Sequence, residues 1–498
     1  MVTPGPDGGE MFKILKGVAS DGVGARLGRL SLPKRQAIDT PSFIGVTARG
    51  AIPHLTPDHV GQHSQLGGVY IALEDFMEAT PKKTSPPILE MKSEGVQSLH
   101  AFTATPSHMF TLLGARRHPA INSPVGNTND SISVFTSTGF QKLTNEAYRQ
   151  SVDTIQPDVV IPLADMTYSR TTAFPETKRR TNVTSSKRQL RMVDRTEDWL
   201  AEFFKGKEEI GDDGQSKTPP SIFAPLLPLS YPTQWEYFSQ LEQDFATKLS
   251  GLAVYDVDIL PDLSNHKPLM HLPRLSLDYT ATPQEILRQI HLGADILTVS
   301  FLNGVSDAGV ALNFTFPAPS DSGSEIRPLG ANMWSPEHEV AVAPLVEGCK
   351  CYACTKHHRA FLHHLLHAKE MLGWTLLQLH NYQVINDFFA GIRASLNADP
   401  PTFERDYDEF LRVYDSELPT GTGTRPRARG YHFKSRGGDD KINPPAWEHY
   451  GTGNDPALAG EMAGLAVTGA AAEGKETPLV PEADASELDR QGFAEISR

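Results

Sequence analysis

The chain has 498 residues, 39% of them hydrophobic, and a formal net charge of -14. This composition is typical of a globular protein with one large domain or two to three smaller ones. The negative charge excludes a global attraction to nucleic acid, so such binding has to rest on a local patch. Because the sequence contains no run of about 18 apolar residues and no signal-peptide pattern, it predicts a cytoplasmic protein without a membrane span. Peripheral association with an organelle surface stays open.

Short apolar runs alternate with amphipathic segments after a predicted flexible N-terminus, residues 1–10. The runs are nearly continuously apolar, as expected of parallel strands that are buried on both faces. Six predicted strands lie at 42–48, 67–73, 158–165, 221–227, 250–257 and 294–302.

Helices are predicted between these strands. They lie at 143–155, 186–204, 233–249 and 282–293. Thr144, Thr233 and Thr282 are candidate N-caps, and Pro283 suits a first helical position. The strand-then-helix order, without a Gly-rich phosphate loop after the first strand, favours an α/β fold of the (β/α)8 TIM-barrel class over a doubly wound sheet.

The predicted domain spans residues 11–420. Two polar segments interrupt it, at 206–221 and 317–328, and are predicted to be surface loops. Residues 421–498 are rich in Ala, Gly and Glu, with few aromatic residues, so this tail is predicted to be largely disordered.

All three cysteines lie within six residues as C-x-C-x2-C, at Cys349, Cys351 and Cys354. Their odd number and short spacing do not fit a disulfide framework, whereas zinc favours thiolates together with an imidazole. Alternatively, they are buried small hydrophobes or include a catalytic thiol; four protein ligands would leave no open position and indicate a structural site. The candidate fourth ligands are His357, His358, His363, His364, His367 and His380.

Geometry allows His380 without excluding the nearer histidines. A predicted helix over 358–371 carries the chain about 20 Å away from the cysteines. The extended-looking run TLLQLH, residues 375–380, can return it by a similar distance, which would place His380 near the cysteines. His357 and His358 stay open as alternatives.

The spacing C-x-C-x2-C-x25-H, the segment HHLLHAKE and the ending IRASL resemble the tRNA-guanine transglycosylase, or queuine tRNA-ribosyltransferase, family. The segments 39–60, 137–165, 250–256 and 283–301 resemble that family in the same order. The resemblance covers roughly residues 12–400. It implies a TIM barrel with an inserted zinc-binding subdomain near its C-terminal end, at about 330–400. It also implies one structural Zn²⁺ on Cys349, Cys351, Cys354 and His380.

The residues that carry chemistry in this family are replaced here. Active members exchange a guanine in tRNA through a covalent link between an aspartate and the ribose, which requires a nucleophilic carboxylate and a second one for proton transfer. Thr298 stands at the expected nucleophile position, and nothing adjacent in the sequence suggests a base to activate it. Ala164 replaces the proton-transfer aspartate. Asp165, one position further along, stays a candidate, with local hydrogen bonding as the alternative.

The base pocket departs from the family pattern as well. Leu226-Leu227-Pro228-Leu229 replaces Val-Gln-Gly-Gly, and Tyr255 replaces a glycine. A pocket without its hydrogen-bonding groups loses most of its discrimination between bases. Leu73-Glu74-Asp75-Phe76 replaces a further polar motif, and Asp256 and Asp295 are predicted to be structural.

A retained scaffold with replaced catalytic residues resembles the non-catalytic accessory subunit of the heterodimeric enzyme. Such a subunit pairs with a catalytic queuine tRNA-ribosyltransferase subunit and supports exchange of guanine for queuine at the wobble position of tRNAs with GUN anticodons. The family's dimer buries the zinc-subdomain region against the partner. The alternatives are an active transglycosylase with relocated carboxylates and a zinc-stabilised barrel that binds something unrelated to tRNA.

Two basic segments are candidates for contact with tRNA. The segment 178–195 has seven Lys or Arg residues against one acidic residue and is a candidate phosphate-binding surface, with a solvated helix face as the alternative. The segment 425–436 is predicted to act as an unspecific electrostatic arm within the tail.

Overall fold

The computed structural model describes residues 10–17, 23–77, 85–91, 97–121, 123, 126–136, 139–166, 185–209, 219–319 and 326–421. These residues belong to one unit, Met1–Asn443, and a second unit is Pro444–Arg498. The predicted flexible N-terminus and disordered tail therefore lie almost entirely outside the described residues. No described helix combines the length and apolarity needed to cross a membrane. The cytoplasmic location stays a prediction.

The strands fall into a barrel and three smaller sheets. In chain order they are β1 (Phe12–Gly17), β2 (Arg26–Leu30), β3 (Ile38–Thr40), β4 (Ser42–Val46), β5 (Gly68–Ala72), β6 (Phe110–Gly114), β7 (Ser131–Thr136), β8 (Gly139–Thr144), β9 (Val159–Val160), β10 (Ser221–Leu226), β11 (Gly251–Val254), β12 (Arg274–Ser276), β13 (Ile296–Thr298), β14 (Val310–Leu312) and β15 (Gly330–Asn332).

Eight parallel strands close into a barrel in the order β4-β5-β6-β9-β10-β11-β12-β13, with β13 pairing to β4. This confirms the predicted (β/α)8 barrel. Each of the six predicted strand runs contains one barrel strand, whereas β6 and β12 were not predicted. The remaining strands form the sheet β1-β2-β3 and the antiparallel pairs β7-β8 and β14-β15.

The helices pack around the barrel and beyond its last strand. They are α1 (Pro57–His63), α2 (Pro87–Glu90), α3 (Ser98–Thr103), α4 (Asn145–Ile155), α5 (Ser186–Glu209), α6 (Tyr231–Gln240), α7 (Pro283–His291), α8 (Phe301–Asp307), α9 (Tyr352–Lys356), α10 (Arg359–His367), α11 (Met371–Asn397) and α12 (Phe403–Val413).

The helix starts follow local capping chemistry. Thr144 caps α4 as predicted, because its hydroxyl accepts a hydrogen bond from the Ala147 amide at 3.1 Å. Pro283 opens α7 as predicted, and Thr282 precedes it without a side-chain cap bond. The prediction of Thr233 as an N-cap is wrong, since α6 begins at Tyr231 after Ser230, whose extended backbone ends the preceding loop. The first residues of the predicted loop 206–221 are also helical, because α5 continues to Glu209.

The N-terminal sheet closes one end of the barrel. Its apolar side chains, among them Phe12 and Leu30, join a buried cluster with Phe110 and Phe223, which lie near the starts of barrel strands. A buried ion pair fixes the same end, where Arg26 donates to both carboxylate oxygens of Asp295 at 2.9 and 2.6 Å. This contact supports the structural role predicted for Asp295.

Candidate metal centre and barrel mouth

The three cysteines lie on a turn that leads directly into a short helix. Cys351 occupies the N-cap of α9, and its sulfur accepts a hydrogen bond from the Cys354 amide at 3.3 Å. The cap brings the side chains of Cys351 and Cys354 together, because an N-cap side chain turns back toward the third helical residue. Gly348, with φ at +76°, allows the turn that places Cys349 beside them.

His380 completes the group from the middle of α11. Its Nδ1 lies 3.7, 3.6 and 3.4 Å from the sulfurs of Cys349, Cys351 and Cys354. The four potential ligand atoms all lie within 4.8 Å of one another. In the part of the chain that the structure describes, this is the only group of three or more such residues close enough to hold one ion.

Hydrogen bonds fix the orientation of the His380 ring. The backbone carbonyl of Leu312 lies 2.9 Å from Nε2 and can only accept, so Nε2 carries the proton and Nδ1 presents its lone pair to the sulfurs. The neighbouring Asn381 holds β14 in place by accepting from the Leu312 amide and donating to Ser306 and Val310. The strand that orients the ring is therefore fastened to the helix that carries it.

The donor set fits a tetrahedral metal ion. Bonds of about 2.3 Å to sulfur and about 2.0 Å to nitrogen place the two ligand atoms about 3.5 Å apart, close to the observed distances. Hydrogen bonds from Cys349 and Cys351 lower the pKa of the Cys354 thiol to about 3, and those with Cys349 and Cys354 raise the pKa of the Cys351 thiol. Three thiolates this close repel one another unless a cation lies among them. The group could therefore hold one metal ion.

The route by which His380 reaches the cysteines differs from the prediction. The run TLLQLH is not extended but belongs to α11, a 27-residue helix that returns alongside α10. Leu376, Leu377 and Leu379 are buried in this helix, so an apolar run resembled a strand. His358 caps α10, where its Nδ1 accepts from the Phe361 amide at 3.2 Å.

Thr298 lies buried at the C-terminal end of β13, at the mouth of the barrel. Its hydroxyl donates to the Ser276 carbonyl at 3.2 Å and lies 2.9 Å from Nε2 of His118. Nε2 of His118 also lies 3.0 Å from the Ser300 hydroxyl, so the tautomer of His118 decides the direction of both of its contacts. His118 is 180 residues away along the chain, and no local sequence pattern predicts its place beside Thr298.

Asp165 is fully buried and surrounded by donors. Arg188 donates to both carboxylate oxygens at 2.8 and 2.7 Å, Arg195 donates at 2.9 Å, and the Asn127 amide donates at 2.7 Å. These four bonds engage both carboxylate oxygens with fixed donors, which leaves little capacity for a part in proton transfer. The contacts are long-range rather than local, and they favour a structural role.

Other carboxylates around the mouth of the barrel also accept several hydrogen bonds. Glu74 accepts from the amides of Arg117 and Phe135, both at 2.7 Å, and its burial raises the pKa of this carboxyl group. Asp75 accepts from the Arg49 amide at 2.8 Å and from the Arg117 guanidinium. These bonds fasten the loops after β4, β5 and β6 to one another.

The model of the queuine tRNA-ribosyltransferase family matches residues 21–416 of the chain. The chain belongs to this family. Three similar proteins are each named queuine tRNA-ribosyltransferase accessory subunit 2. The protein from Schizosaccharomyces pombe is 34% identical over 448 residues, which cover 89% of this chain and 94% of that protein. Those from Drosophila mojavensis and Culex quinquefasciatus are 28% and 27% identical, covering 79% and 75% of this chain and 91% and 86% of those proteins.

The remaining departures from the queuine tRNA-ribosyltransferase pattern also lie in packed surroundings. Leu226 and Leu227 are fully buried in the core that contains the barrel helices. Tyr255 packs against that core and against the barrel interior. Asp256 caps the 3-10 helical segment Val257–Asn265 by accepting from the Asp258 amide at 3.0 Å, which supports its predicted structural role.

The basic segment 178–195 is only partly described. Residues 178–184 lie outside the described residues, as does the whole segment 425–436. Within 185–195, Arg188 and Arg195 turn inward to Asp165, whereas Lys187 and Arg191 are exposed. Two of the seven basic side chains therefore serve the fold, and phosphate contact by the others stays a prediction.

Proposed function

We propose that this chain is the non-catalytic accessory subunit of a heterodimeric queuine tRNA-ribosyltransferase. A separate catalytic chain exchanges guanine for queuine at the wobble position of tRNAs with GUN anticodons, and the tRNA binds to the complex. The observation that carries the proposal is a buried threonine instead of a carboxylate at the expected nucleophile position, with its hydroxyl in contact with the Ser276 carbonyl and with His118. The names of the similar proteins from fission yeast and insects agree with it.

Base exchange through a covalent intermediate needs a carboxylate that can attack the ribose. At the expected position Thr298 offers a hydroxyl instead of a carboxylate, and a hydroxyl is a weak nucleophile at neutral pH. Asp165 is the nearest carboxylate to the expected proton-transfer position in sequence, but its charge is balanced by Arg188 and Arg195. Moving Asp165 into a catalytic position would leave both arginines without their partner, which argues against an enzyme with relocated carboxylates.

An exchange assay tests this proposal. The purified chain is incubated with a tRNA that has a GUN anticodon and with labelled guanine, alone and together with the catalytic subunit. We expect no incorporation of label by the chain alone, and incorporation when both subunits are present. Exchange by the chain alone, abolished by Asp165→Ala, would instead establish an active enzyme that uses Asp165.

We further propose that the ion held by the cysteines and His380 is Zn²⁺, one per chain, with a structural role. Three thiolates and one imidazole are a preferred tetrahedral ligand set of zinc, and four protein ligands leave no open position for a substrate. Bound zinc would join the turn before α9 to α11, which supports a role in folding of this region.

The region around the metal ligands is proposed as the surface for the catalytic subunit. Val340 and Val342 are 84% and 79% exposed, in a loop that hydrogen-bonds to the start of α10 through Ala341 and Ala343. Tyr352 on α9 is also exposed. Exposed apolar side chains on a backbone that is pinned in place are typical of protein interfaces.

A further inference from the structure

A pair of histidines on α10 has its ring nitrogens in direct contact. His363 and His367 lie four residues apart, on the same face of the helix. Their Nε2 atoms are 3.1 Å apart, and their ring centroids are 4.1 Å apart. The pair is distinct from the ligand group around His380, which does not include it.

The spacing of the two nitrogens fits a shared metal ion. Metal–imidazole bonds of about 2.0 Å place two ligand nitrogens about 2.8 to 3.3 Å apart, for angles between those of octahedral and tetrahedral sites. Two histidines at i and i+4 on a helix are a recurring zinc-binding arrangement. Without a metal, the same distance allows one N–H···N hydrogen bond, so the rings are already positioned for an ion.

The surroundings of the pair keep the imidazoles available. Partial desolvation and the neighbouring His363 lower the pKa of His367, so this ring stays neutral at neutral pH, as a metal ligand has to be. The side chain of His367 is exposed, which leaves room for water ligands. Trp334 packs edge-on against the His367 ring at 5.2 Å and restricts its rotation.

Another imidazole lies in electrostatic reach of the pair. His338 is almost fully buried, and its Nε2 lies 3.4 Å from a carboxylate oxygen of Glu337. It lies on a short helical turn, Pro336–His338, that packs against α10, and it interacts electrostatically with His363. Glu339, on the following residue, interacts in the same way with His367. Neutral imidazoles and a nearby carboxylate are groups that favour binding of a divalent cation.

We propose that His363 and His367 bind a divalent transition metal ion, such as Zn²⁺ or Ni²⁺, through their Nε2 atoms. Both metals are well suited to imidazole ligands. When the ion binds, the ring that donated the hydrogen bond carries its proton on Nδ1 instead, so no net proton is released. Two protein ligands leave open positions, in contrast to the closed group around His380. The site is independent of the role proposed for the whole chain.

A titration of the full-length, untagged chain with Ni²⁺ tests the proposal. The cysteine group is first saturated with Zn²⁺, and binding of Ni²⁺ is followed by calorimetry at neutral pH. Wild type and His364→Ala are expected to bind the same number of Ni²⁺ equivalents, since His364 is the exposed neighbour outside the pair. His367→Ala is expected to bind one equivalent of Ni²⁺ fewer, or to bind that equivalent more than about 100-fold more weakly. A loss of this size exceeds the usual effect of removing a group that only hydrogen-bonds to a metal ligand.

The outcomes separate the proposal from its alternatives. Equal stoichiometry and affinity in wild type and His367→Ala would overturn it, as would an equal loss in His364→Ala. His367 is exposed, so its replacement is not expected to impair folding, and an unchanged thermal unfolding curve of the zinc-loaded variant checks this. His363→Gln provides a second variant, which is expected to lose the same equivalent.

Discussion

His380 has a tautomer that suits a metal ligand. Its Nε2–H is committed to the Leu312 carbonyl, so Nδ1 is the only ring nitrogen that can accept a metal bond. His358 lies nearer to the cysteines along the chain, but its Nδ1 is engaged in capping α10. The chemical environment, rather than distance along the chain, therefore distinguishes the fourth ligand.

We expect His380→Ala to lower the zinc content clearly below one per chain, because a tetrahedral site loses a ligand and its link to α11. Metal analysis after dialysis measures this. His358→Ala is the matched control and should keep its zinc, while it loses an N-cap worth about 1 kcal/mol. Full zinc occupancy in His380→Ala, with loss in His358→Ala, would assign the fourth ligand to His358.

His100 predicts a dependence of stability on pH. The ring is buried, with Nε2 2.9 Å from the Met109 carbonyl and Nδ1 3.2 Å from the Arg35 guanidinium, close to Asp158. Burial lowers its pKa below the ordinary value of 6.5. The unfolded chain then binds the proton more readily than the folded chain does. The contribution of the neutral His100 ring to the free energy of unfolding is therefore complete above pH 6.5, and it is lost as the pH falls through the folded-state pKa.

Urea unfolding between about pH 7.5 and pH 5 measures this effect. The free energy of unfolding of the wild type should fall with decreasing pH more steeply than that of His100→Gln, because the variant lacks the titrating ring. Parallel pH profiles for the two proteins would contradict the prediction.

At the scale of elements, α11 connects the candidate metal centre to the barrel. Its 27 residues span about 40 Å. Beyond His380, the rings of Tyr382 and Phe389 stack on Phe43 of β4, with centroids 6.0 and 5.2 Å away. Arg393 donates to the Pro41 carbonyl at 2.8 Å. The helix is therefore held near its middle by the candidate metal ligands and in its C-terminal half by contacts with β4 and with Pro41 before it.

Gly391 allows α11 to approach the loop after β14. A β-carbon at this position would overlap the carbonyl oxygen of Phe316. We expect Gly391→Ala to lower the free energy of unfolding by about 1–3 kcal/mol, the usual range for overpacking. Gly304 in α8 is the matched control, because a β-carbon there meets no atom within 4 Å. Gly304→Ala should be neutral or stabilising by up to about 1 kcal/mol, and equal destabilisation of both variants would contradict the argument.

The sequence predicted the barrel better than its individual strands. Long apolar runs predicted six of the eight barrel strands, since strands that are buried on both faces are continuously apolar. The strand β12 has only three residues, and one of them is the fully buried Arg274. Because of this charged residue, the segment lacks the continuous apolar pattern from which the other strands were predicted. TLLQLH was assigned as extended because a short apolar run does not distinguish a strand from a buried helix.

The two candidate sites differ in how far the sequence predicts them. The cysteines are local and carry a spacing that indicates a metal site, so the group that the structure assembles was expected. The contact between Thr298 and His118 joins the end of β13 to the loop after β6, and no local sequence pattern predicts it. The partners of Asp165 depend in the same way on how α5 packs over the barrel.

At the scale of the whole molecule, the exposed valines predict where the catalytic subunit binds. We expect the double substitution Val340→Asp and Val342→Asp to weaken co-purification with that subunit by at least about tenfold, because an interface would bury two unpaired charges. Pull-down with the tagged catalytic subunit measures this, and metal analysis should show unchanged zinc content.

Trp235→Asp on α6 is the control for this surface. Its side chain is also half exposed, but it lies on a helix that packs with α5 rather than with the metal ligands. The control should co-purify as the wild type does. Normal co-purification of the double variant would exclude the valine loop from the interface.

The hydrogen bond from Thr298 to Ser276 also bears on how this lineage can evolve. Thr298→Asp would remove the donor and set a carboxylate against a carbonyl oxygen, in a place without solvent. In the present packing, a carboxylate at this position therefore lowers stability, and Thr298→Asp alone does not supply a second carboxylate at Ala164. A single substitution toward a nucleophilic carboxylate thus carries a cost in stability before any gain in chemistry can follow.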